Sequence, residues 1–341
     1  MGTKINELFT GQQITLDDLK NKILVVDTFN QLYMFLSSIR QADGGLLKNS
    51  KGDVTSHLSG LFYRFTKLMR HDIKFIFVFD GKPPELKMKE KERRIKVKQK
   101  AELKYKEAKQ KEDIEEMRKY AQRTTKLTKE MVQEAKDLIS ALGIPIIQAK
   151  SEGEAQASRI VNKGDGFAVM SQDADSFLFG APRVVKNLTI TGRRKRAGSY
   201  AYDAVPPELF SLPENLKELE LDREQLIVLA MLTGTDYNMG GIKGIGPKKA
   251  LQLVKKHNKD FKAIFEEVKW KESFDYDWKE VFELFTSCPT FDSYDIEFKR
   301  IDKKTVVDIL VDKYEFSLER VEKVLKDLDK KPKEDLTKWF G

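Results

Sequence analysis

The chain has 341 residues, of which 40% are hydrophobic and 34% are charged, and its formal net charge is +8. This composition is typical of a folded soluble protein, and no apolar run approaches the roughly 20 residues of a membrane-spanning helix. The single cysteine, Cys288, excludes an internal disulfide, and three histidines leave little room for a zinc or histidine-based centre. The charged N-terminal stretch lacks an apolar signal core, so we expect an intracellular protein.

In chain order, short continuous apolar runs predict strands that are buried on both faces of a sheet. They are Ile23 to Val26, Phe75 to Phe79, Ile144 to Ile147 and Phe167 to Met170. Before the third run, apolar residues from Met131 to Leu142 form one helical stripe that stops at Gly143. The alternation predicts an α/β fold with a mostly parallel central sheet flanked by helices, and the chain after Leu221 is predicted to be mainly helical.

The positive charge is concentrated in residues 87–126. This segment holds 16 Lys/Arg and 8 Asp/Glu, which leaves 46 residues of each sign in the rest of the chain. Such a basic island favours a polyanionic partner, although a solvated helix face with Glu/Lys pairs explains the composition equally well. The segment lacks Gly, Pro and a strong apolar stripe, so we expect marginal helices that project from the body.

Carboxylates follow the predicted strands. Asp27 ends VVD, Asp80 ends FVFD, and Asp173 and Asp175 follow FAVM. Further acids are Glu152 and Glu154, after the third apolar run, and Asp236, after the apolar helix LIVLAML. Because parallel strands place their carboxyl ends at one edge, we expect the seven acids to share a cleft there.

Mutual repulsion makes seven neighbouring carboxylates improbable unless cations compensate them. Oxygen ligands without histidine or cysteine favour magnesium or manganese, and two such ions about 4 Å apart can hydrolyse a phosphodiester. Each acid also has an ordinary structural interpretation. Ser151 and Glu154 have the spacing of a capping box, Asp27 and Asp80 could be turn residues, and surface D-x-D pairs are common.

The strings VVDTFNQLYMFL, TSHLSGLFYR, VFDGKPPELK, GIPIIQAKSEGEAQAS, QDADSFLFG, GTDY and IKGIGPKKA follow one another between Val25 and Ala250. This ordered series resembles the signature blocks of the XPG/flap endonuclease family, in its archaeal form. The resemblance implies a PIN-like nuclease core and a structure-specific 5′-flap DNA endonuclease with 5′-3′ exonuclease activity. It further implies roles in DNA replication, through Okazaki fragment maturation, and in base excision repair.

The resemblance also implies roles for individual residues. The seven acids match the carboxylates that hold two Mg²⁺ ions, for which Mn²⁺ can substitute; Asp173 is counted as catalytic too. Lys87 and Arg94, two helical turns apart, match the pair that contacts the scissile phosphate. Tyr33 resembles the aromatic residue that stacks on the terminal nucleotide, although an amphipathic helix could equally bury it. Residues 87–126 correspond to a mobile helical arch that the single strand passes through or under before cleavage.

Several segments are candidates for binding the duplex. GIKGIGPKKA is predicted to be a helical hairpin whose glycines admit a phosphate and whose next helix points its N-terminus at it. In the family this motif also uses K⁺. The predicted DNA contacts are Gly2, Arg40, Thr55, Arg64, Arg193, Arg194, Lys195, Gly244, Gly246, Lys248 and Lys249. The basic run from Arg193 continues to Arg196 and lies in a predicted β-hairpin.

The C-terminal string KEDLTKWF resembles the peptide that hooks a sliding clamp (PCNA), with Leu336, Trp339 and Phe340 as apolar anchors. Lys333 stands where the family usually has glutamine, which removes an amide contact. A terminal turn that packs on its own domain is the alternative. The absence of a long basic tail favours an archaeal source and a location in the cytoplasm or nucleoid.

The predicted organisation is a monomer with one nuclease domain over residues 1–330. Its parts are the N-terminal core (1–86), the arch (87–126), the rest of the core (127–221), the helical hairpin (222–260) and C-terminal helices (261–330), followed by the clamp-binding tail (331–341). Two alternatives to a flap endonuclease stay open. One is a catalytically silent DNA-binding or clamp-associated module, and the other is a related junction resolvase or 5′ exonuclease.

Overall fold

The structure is a computed structural model that describes residues 4–41, 43–88, 126–189, 193–195 and 202–329, with the backbone alone at 4, 193–195 and 202–204. Within these ranges one seven-stranded sheet has the order β1-β9-β6-β5-β2-β3-β4. The strands are β1 Gln12–Gln13, β2 Ile23–Asp27, β3 Lys74–Phe79, β4 Ile146–Gln148, β5 Ala168–Met170, β6 Arg183–Lys186, β7 Arg193–Lys195, β8 Tyr202–Ala204 and β9 Glu208–Ser211. β7 and β8 form a separate antiparallel hairpin.

The helices that surround the sheet are mostly short. They are α1 Thr28–Ser38, α2 Ser56–Gly60, α3 Thr66–Met69, α4 Lys129–Ala141, α5 Gly153–Asn162, α6 Asp175–Leu178, α7 Leu212–Leu219, α8 Arg223–Thr233, α9 Pro247–His257, α10 Phe261–Glu267, α11 Trp270–Ser273, α12 Trp278–Thr286, α13 Lys303–Val307 and α14 Leu318–Asp329. Turns of π-helix at Leu61–Phe65 and Asp308–Lys313 continue α2 and α13. None of the helices in the described ranges combines the length and apolar content that a membrane crossing requires.

The sheet is buried on both faces because alternate residues of its central strands enter two different cores. Val25 and Ile76 pack in the core formed with α5, α8 and α9. Leu24 and Phe75 pack in the core formed with α1, α4 and the C-terminal helices. The central strands β4, β3, β2, β5 and β6 are parallel, and β9 and β1 add antiparallel pairs at one edge. The predicted α/β fold with a mostly parallel sheet is therefore confirmed.

The element boundaries differ from the prediction in one informative place. The third strand was expected from Ile144, but β4 begins at Ile146. Ile144 instead takes part in the C-terminal cap of the preceding helix, since its N–H donates to the Ile139 carbonyl at 3.2 Å. The helix stop at Gly143 is confirmed, because this residue has a φ of +72°. The predicted arch helices of residues 87–126 lie outside the described residues, apart from residues 87, 88 and 126.

Candidate functional site

The carboxyl ends of the parallel strands carry the acids that the sequence singled out. Asp27 is the last residue of β2 and the N-cap of α1. Asp80 directly follows β3, and Asp175 is the first residue of the short helix after β5. Electrostatic interactions connect these three acids with Asp173, Glu152, Glu154 and Asp236. The seven predicted acids therefore lie in one cleft at this edge.

Asp27 is held by hydrogen bonds to both of its oxygens. Its Oδ1 accepts the backbone N–H of Asn30 at 3.1 Å, and its Oδ2 accepts the hydroxyl of Ser171 at 3.0 Å. The residue is 6% exposed. Its orientation is thus fixed by the first turn of α1 and by the end of β5.

Asp80 is attached to the N-terminus of α5. Its Oδ1 accepts the backbone N–H of Gly153 at 2.7 Å. The N-cap of this helix is Glu152, and it makes no side-chain cap hydrogen bond. The interpretation of Ser151 and Glu154 as a capping box is therefore wrong, because the helix begins one residue later than that spacing requires. The carboxylates of Glu152 and Glu154 are left for other roles.

Asp236 sits in the turn that follows α8. The buried amide of Asn238 holds this turn, since its Oδ1 accepts the Thr235 hydroxyl at 2.6 Å and its Nδ2 donates to the Met231 carbonyl at 2.7 Å. Gly241 has a φ of +57°, and a Cβ there would lie 2.4 Å from the carbonyl carbon of Thr233. The glycine lets the chain return across the end of α8.

Burial and mutual repulsion disfavour the charged forms of several of these acids. Burial, followed by the nearby Asp80 carboxylate, raises the pKa of Asp27 to about 7. Burial, followed by the charges of Asp175 and Asp27, raises the pKa of Glu154 well above its ordinary value. Burial also raises the pKa values of Asp80 and Glu152, although Lys87 opposes it. The cleft therefore has more negative charge than its own residues compensate.

Lys87 is a cation that the structure places beside these acids. Its ammonium forms a salt bridge with the Glu152 carboxylate. Burial lowers the pKa of Lys87, but the charges of Glu152, Asp80 and Glu154 outweigh it and raise the pKa above the ordinary value. The neighbouring carboxylates therefore favour the protonated form of Lys87.

The residues of the cleft fit hard divalent cations. The donors are carboxylate oxygens, and Glu152 Oε1 is buried without a hydrogen-bond partner. Within the described ranges no three acidic, histidine or cysteine side chains are arranged as a ready three-ligand site for one ion. Mg²⁺ usually keeps several of its waters and takes one or two carboxylates. The arrangement thus suits hydrated Mg²⁺ or Mn²⁺ better than zinc, which needs closer nitrogen or sulfur ligands.

The predicted helical hairpin is formed by α8, a turn and α9. Gly246 is the N-cap of α9 without a side-chain hydrogen bond, and Pro247 follows it. Gly244 is exposed with a φ of +81°, and a Cβ on Gly244 or Gly246 would meet open space. Lys248 and Lys249 are exposed on the first turn. An uncapped helix N-terminus beside two lysines has the features of a phosphate-binding site.

The other predicted DNA contacts lie near α1 and α2. Tyr33 is 41% exposed on α1, so its interpretation as a core aromatic is not supported. Arg40 donates to the Gly44 carbonyl at 2.8 Å and Thr55 is buried just before α2. Arg64 lies in the π-helical turn and donates to the Thr189 carbonyl. These arginines are thus already oriented by backbone carbonyls.

Other predicted residues lie outside the described side chains. They are Gly2, Arg94, Arg193, Arg194, Lys195, Arg196, Lys333, Leu336, Trp339 and Phe340. The backbone of Arg193–Lys195 does form the predicted hairpin, paired with Tyr202–Ala204.

Sequence reasoning missed three residues at the cleft. Lys186 is a buried cation at the end of β6, where the negative charges of Asp173 and Asp175 favour its protonated form. Asn30 and Ser171 contact the acids directly. A polar residue one helical turn after a strand-end aspartate, as in DTFN, is a signal that could have identified Asn30; Lys186 sits in RVVK, where nothing distinguishes it from a surface lysine.

Comparisons with known proteins agree with this geometry. Residues 5–101 match the family model of the XPG N-terminal domain, and residues 143–236 match that of the XPG I-region. The solved structure of flap endonuclease-1 from Methanococcus jannaschii superposes with a TM-score of 0.75 at 43% identity, covering 96% of this chain and 98% of that chain. The Holliday junction-resolving enzyme GEN1, solved with product DNA and a Mg²⁺ ion, shares the fold with a TM-score of 0.60 at 18% identity, covering 95% of this chain and 76% of that one.

Among curated relatives, flap endonuclease 1 of Pyrococcus abyssi (strain GE5 / Orsay) is 50% identical over 344 residues. The alignment covers 100% of this chain and 98% of the relative. With this identity over its full length, the chain belongs to the flap endonuclease 1 family.

Proposed function

We propose that the acidic cleft is the hydrolytic centre of a structure-specific 5′-flap DNA endonuclease. The observation that supports this most directly is the convergence of seven acids and Lys87 at one sheet edge, in a chain of the flap endonuclease 1 family. Such an uncompensated cluster lowers the stability of the fold unless bound divalent cations neutralise its charge.

The seven acids would hold two Mg²⁺ ions, for which Mn²⁺ can substitute. When bound, such ions supply Lewis-acid activation of water and charge stabilisation for the leaving oxygen. Hydrogen bonds to Asp27 and Asp80 keep these two carboxylates oriented before metal arrives, and the bond between Thr235 and Asn238 holds the turn that carries Asp236. Lys87 stays charged inside the cleft and would contact the scissile phosphate, together with Arg94.

The DNA would lie across the cleft and the helical hairpin. Tyr33 would stack on the terminal base without regard to its identity, which suits recognition of structure over sequence. Lys248, Lys249 and the N-terminus of α9 would bind the downstream duplex, with K⁺ at the hairpin. Gly244 and Gly246 of the same hairpin would admit that duplex's backbone. Contacts to the upstream duplex and flap would come from Arg40, Thr55 and Arg64, and further DNA contacts from Gly2 and the basic run Arg193, Arg194 and Lys195.

The cellular partners proposed from family membership are branched DNA and the sliding clamp PCNA. The clamp would be bound by the C-terminal anchors Leu336, Trp339 and Phe340. We further propose that the protein is an intracellular monomer organised as the predicted single nuclease domain, and that it serves Okazaki fragment maturation and base excision repair.

Single-turnover cleavage of a labelled double-flap DNA tests the hydrolytic centre. We expect a Mg²⁺-dependent cut near the flap junction, and its loss in Asp173→Asn and in EDTA. Asp137→Asn is the matched control, since it removes a carboxylate from the exposed surface of α4. Tight binding without a cut under any divalent metal would leave a DNA-binding module, and faster cleavage of four-way junctions than of flaps would favour a resolvase.

A further inference from the structure

Two polar side chains connect Asp27 with Asp173 inside the cleft. Asn30 lies one turn into α1, and Ser171 lies one residue after β5. Asp27 ends β2 and Asp173 follows the neighbouring parallel strand β5, and like charges on these two carboxylates repel each other. Their separation is therefore not set by attraction between them, and other groups must fix it.

Asn30 contacts both segments at once. Its side-chain N–H donates to Asp173 Oδ2 at 2.9 Å, while its backbone N–H donates to Asp27 Oδ1. Its side-chain oxygen accepts the backbone N–H of Gln172 at 3.1 Å. Because the amide nitrogen faces a carboxylate and the amide oxygen faces an N–H, only one orientation of the amide satisfies both contacts.

Ser171 forms the second connection. Its hydroxyl donates to Asp27 Oδ2 at 3.0 Å and accepts the backbone N–H of Asp173 at 3.3 Å. The side chain is fully buried. Asn30 therefore connects α1 to Asp173, and Ser171 connects the loop of Asp173 back to Asp27, which closes a ring of hydrogen bonds around the pair.

We propose that Asn30 and Ser171 are positioning residues that set the separation and orientation of the Asp27 and Asp173 carboxylates, and thereby the affinity of the cleft for divalent metal. This inference rests on the proposed metal-dependent function. Groups that hydrogen-bond to ligating carboxylates typically change metal affinity or activity by 10- to 100-fold when they are removed. Neither side chain has to touch the ion or the DNA for this effect.

A purely structural role makes a different prediction. If the two residues only tie α1 to β5, their removal lowers the unfolding temperature and leaves metal affinity unchanged. Gln133→Ala is a matched control, because Gln133 also donates an amide N–H to a carboxylate, that of Asp137 at 2.8 Å, on the exposed face of α4.

The experiment compares the wild-type chain with Asn30→Ala, Ser171→Ala, the double variant and Gln133→Ala. Binding of Mn²⁺ to metal-free protein without DNA is measured from the electron paramagnetic resonance signal of free Mn²⁺. Flap cleavage is measured in parallel as a function of Mg²⁺ concentration. Circular dichroism and thermal unfolding check the fold of each variant.

We expect each single variant to raise the Mn²⁺ dissociation constant and the half-saturating Mg²⁺ concentration by about tenfold or more, with much of the rate recovered at saturating Mg²⁺. The double variant should shift both by less than the product of the single shifts, because both residues act on one pair of acids. Gln133→Ala should shift neither.

A folded single variant that binds Mn²⁺ as tightly as the wild type would overturn the inference. Ser171→Ala decides the question if Asn30→Ala does not fold, because it removes only one oxygen atom. A wild-type chain that neither binds Mn²⁺ nor cleaves flaps would instead refute the proposed metal centre, which is a distinguishable result.

Discussion

Lys186 allows a quantitative prediction about the electrostatics of the cleft. The residue is 7% exposed, and its ammonium donates to the Asn6 side chain and lies 4.8 Å from the ring centroid of Phe210. Burial lowers the pKa of Lys186 to about 8, against the opposing charges of Asp173, Glu208 and Asp175. The charged lysine is therefore less favourable in the folded chain than in the unfolded chain.

The magnitude follows from the two pKa values. The difference between the ordinary value of 10.5 and about 8 corresponds to roughly 3 kcal/mol, at 1.36 kcal/mol per pKa unit. Between these values the unfolded chain binds more protons than the folded chain, so stability rises with pH. The cost is fully present below about pH 8 and is absent above the unfolded pKa.

We therefore expect Lys186→Met to stabilise the protein at pH 7. The variant removes roughly 3 kcal/mol of cost and loses about 1 kcal/mol from the hydrogen bond to Asn6, so the net gain is about 2 kcal/mol. Near pH 10.5 the gain should vanish or reverse.

Guanidinium denaturation in EDTA from pH 7 to pH 10.5 measures both curves. Lys136→Met is the matched control, since Lys136 also donates to a side-chain amide oxygen, that of Gln148, and lies 4.9 Å from the ring centroid of Phe79, but at a less buried position. A difference between wild type and Lys186→Met that does not change with pH would refute the reasoning, as would a variant that is less stable at pH 7.

Three further predictions concern the metal, the hairpin and the DNA. Mg²⁺ at 100 times its dissociation constant should stabilise the metal-free protein by about 2.7 kcal/mol and so raise its thermal unfolding midpoint. Calorimetry should show a smaller rise of the midpoint for Asp80→Asn. Asn238→Ala should cost about 3 kcal/mol in urea denaturation, because it leaves buried partners unpaired in the turn that carries Asp236; a loss below 1 kcal/mol would contradict this. Replacing both Lys248 and Lys249 by alanine should weaken flap binding in fluorescence anisotropy and reduce the slope of log K against log salt by about 2, whereas an unchanged slope would exclude phosphate contacts there.

The sequence predicted the central strands because their apolar runs are continuous. Ile23 to Val26 and Phe75 to Phe79 differ from β2 and β3 by one residue at one end. Strands β6 and β9 were not predicted, since β6 has only Val184 and Val185 between two basic residues. Two apolar residues are too few to show either the alternating pattern or the continuous apolar run by which a strand is recognised.

The site was predicted as a set of acids but not as a geometry. Recurrence at strand ends identified the acids, because topology brings those ends to one edge. The start of α5 at Gly153 instead of Glu152, the ring of hydrogen bonds through Asn30 and the burial of Lys186 all depend on contacts between distant segments. No local pattern encodes such contacts, so spacing alone could not predict them.

The order of the acids along the chain has a consequence for synthesis. The cleft is built from residues that span Asp27 to Asp236, and the turn that carries Asp236 is held only after α8 has folded. Such contacts between distant residues form late, because the intervening chain must first be ordered. A nascent chain emerging from the ribosome therefore has no complete acidic cleft until more than two thirds of the 341 residues have been made. Truncated products of interrupted translation should accordingly be inert towards DNA backbones.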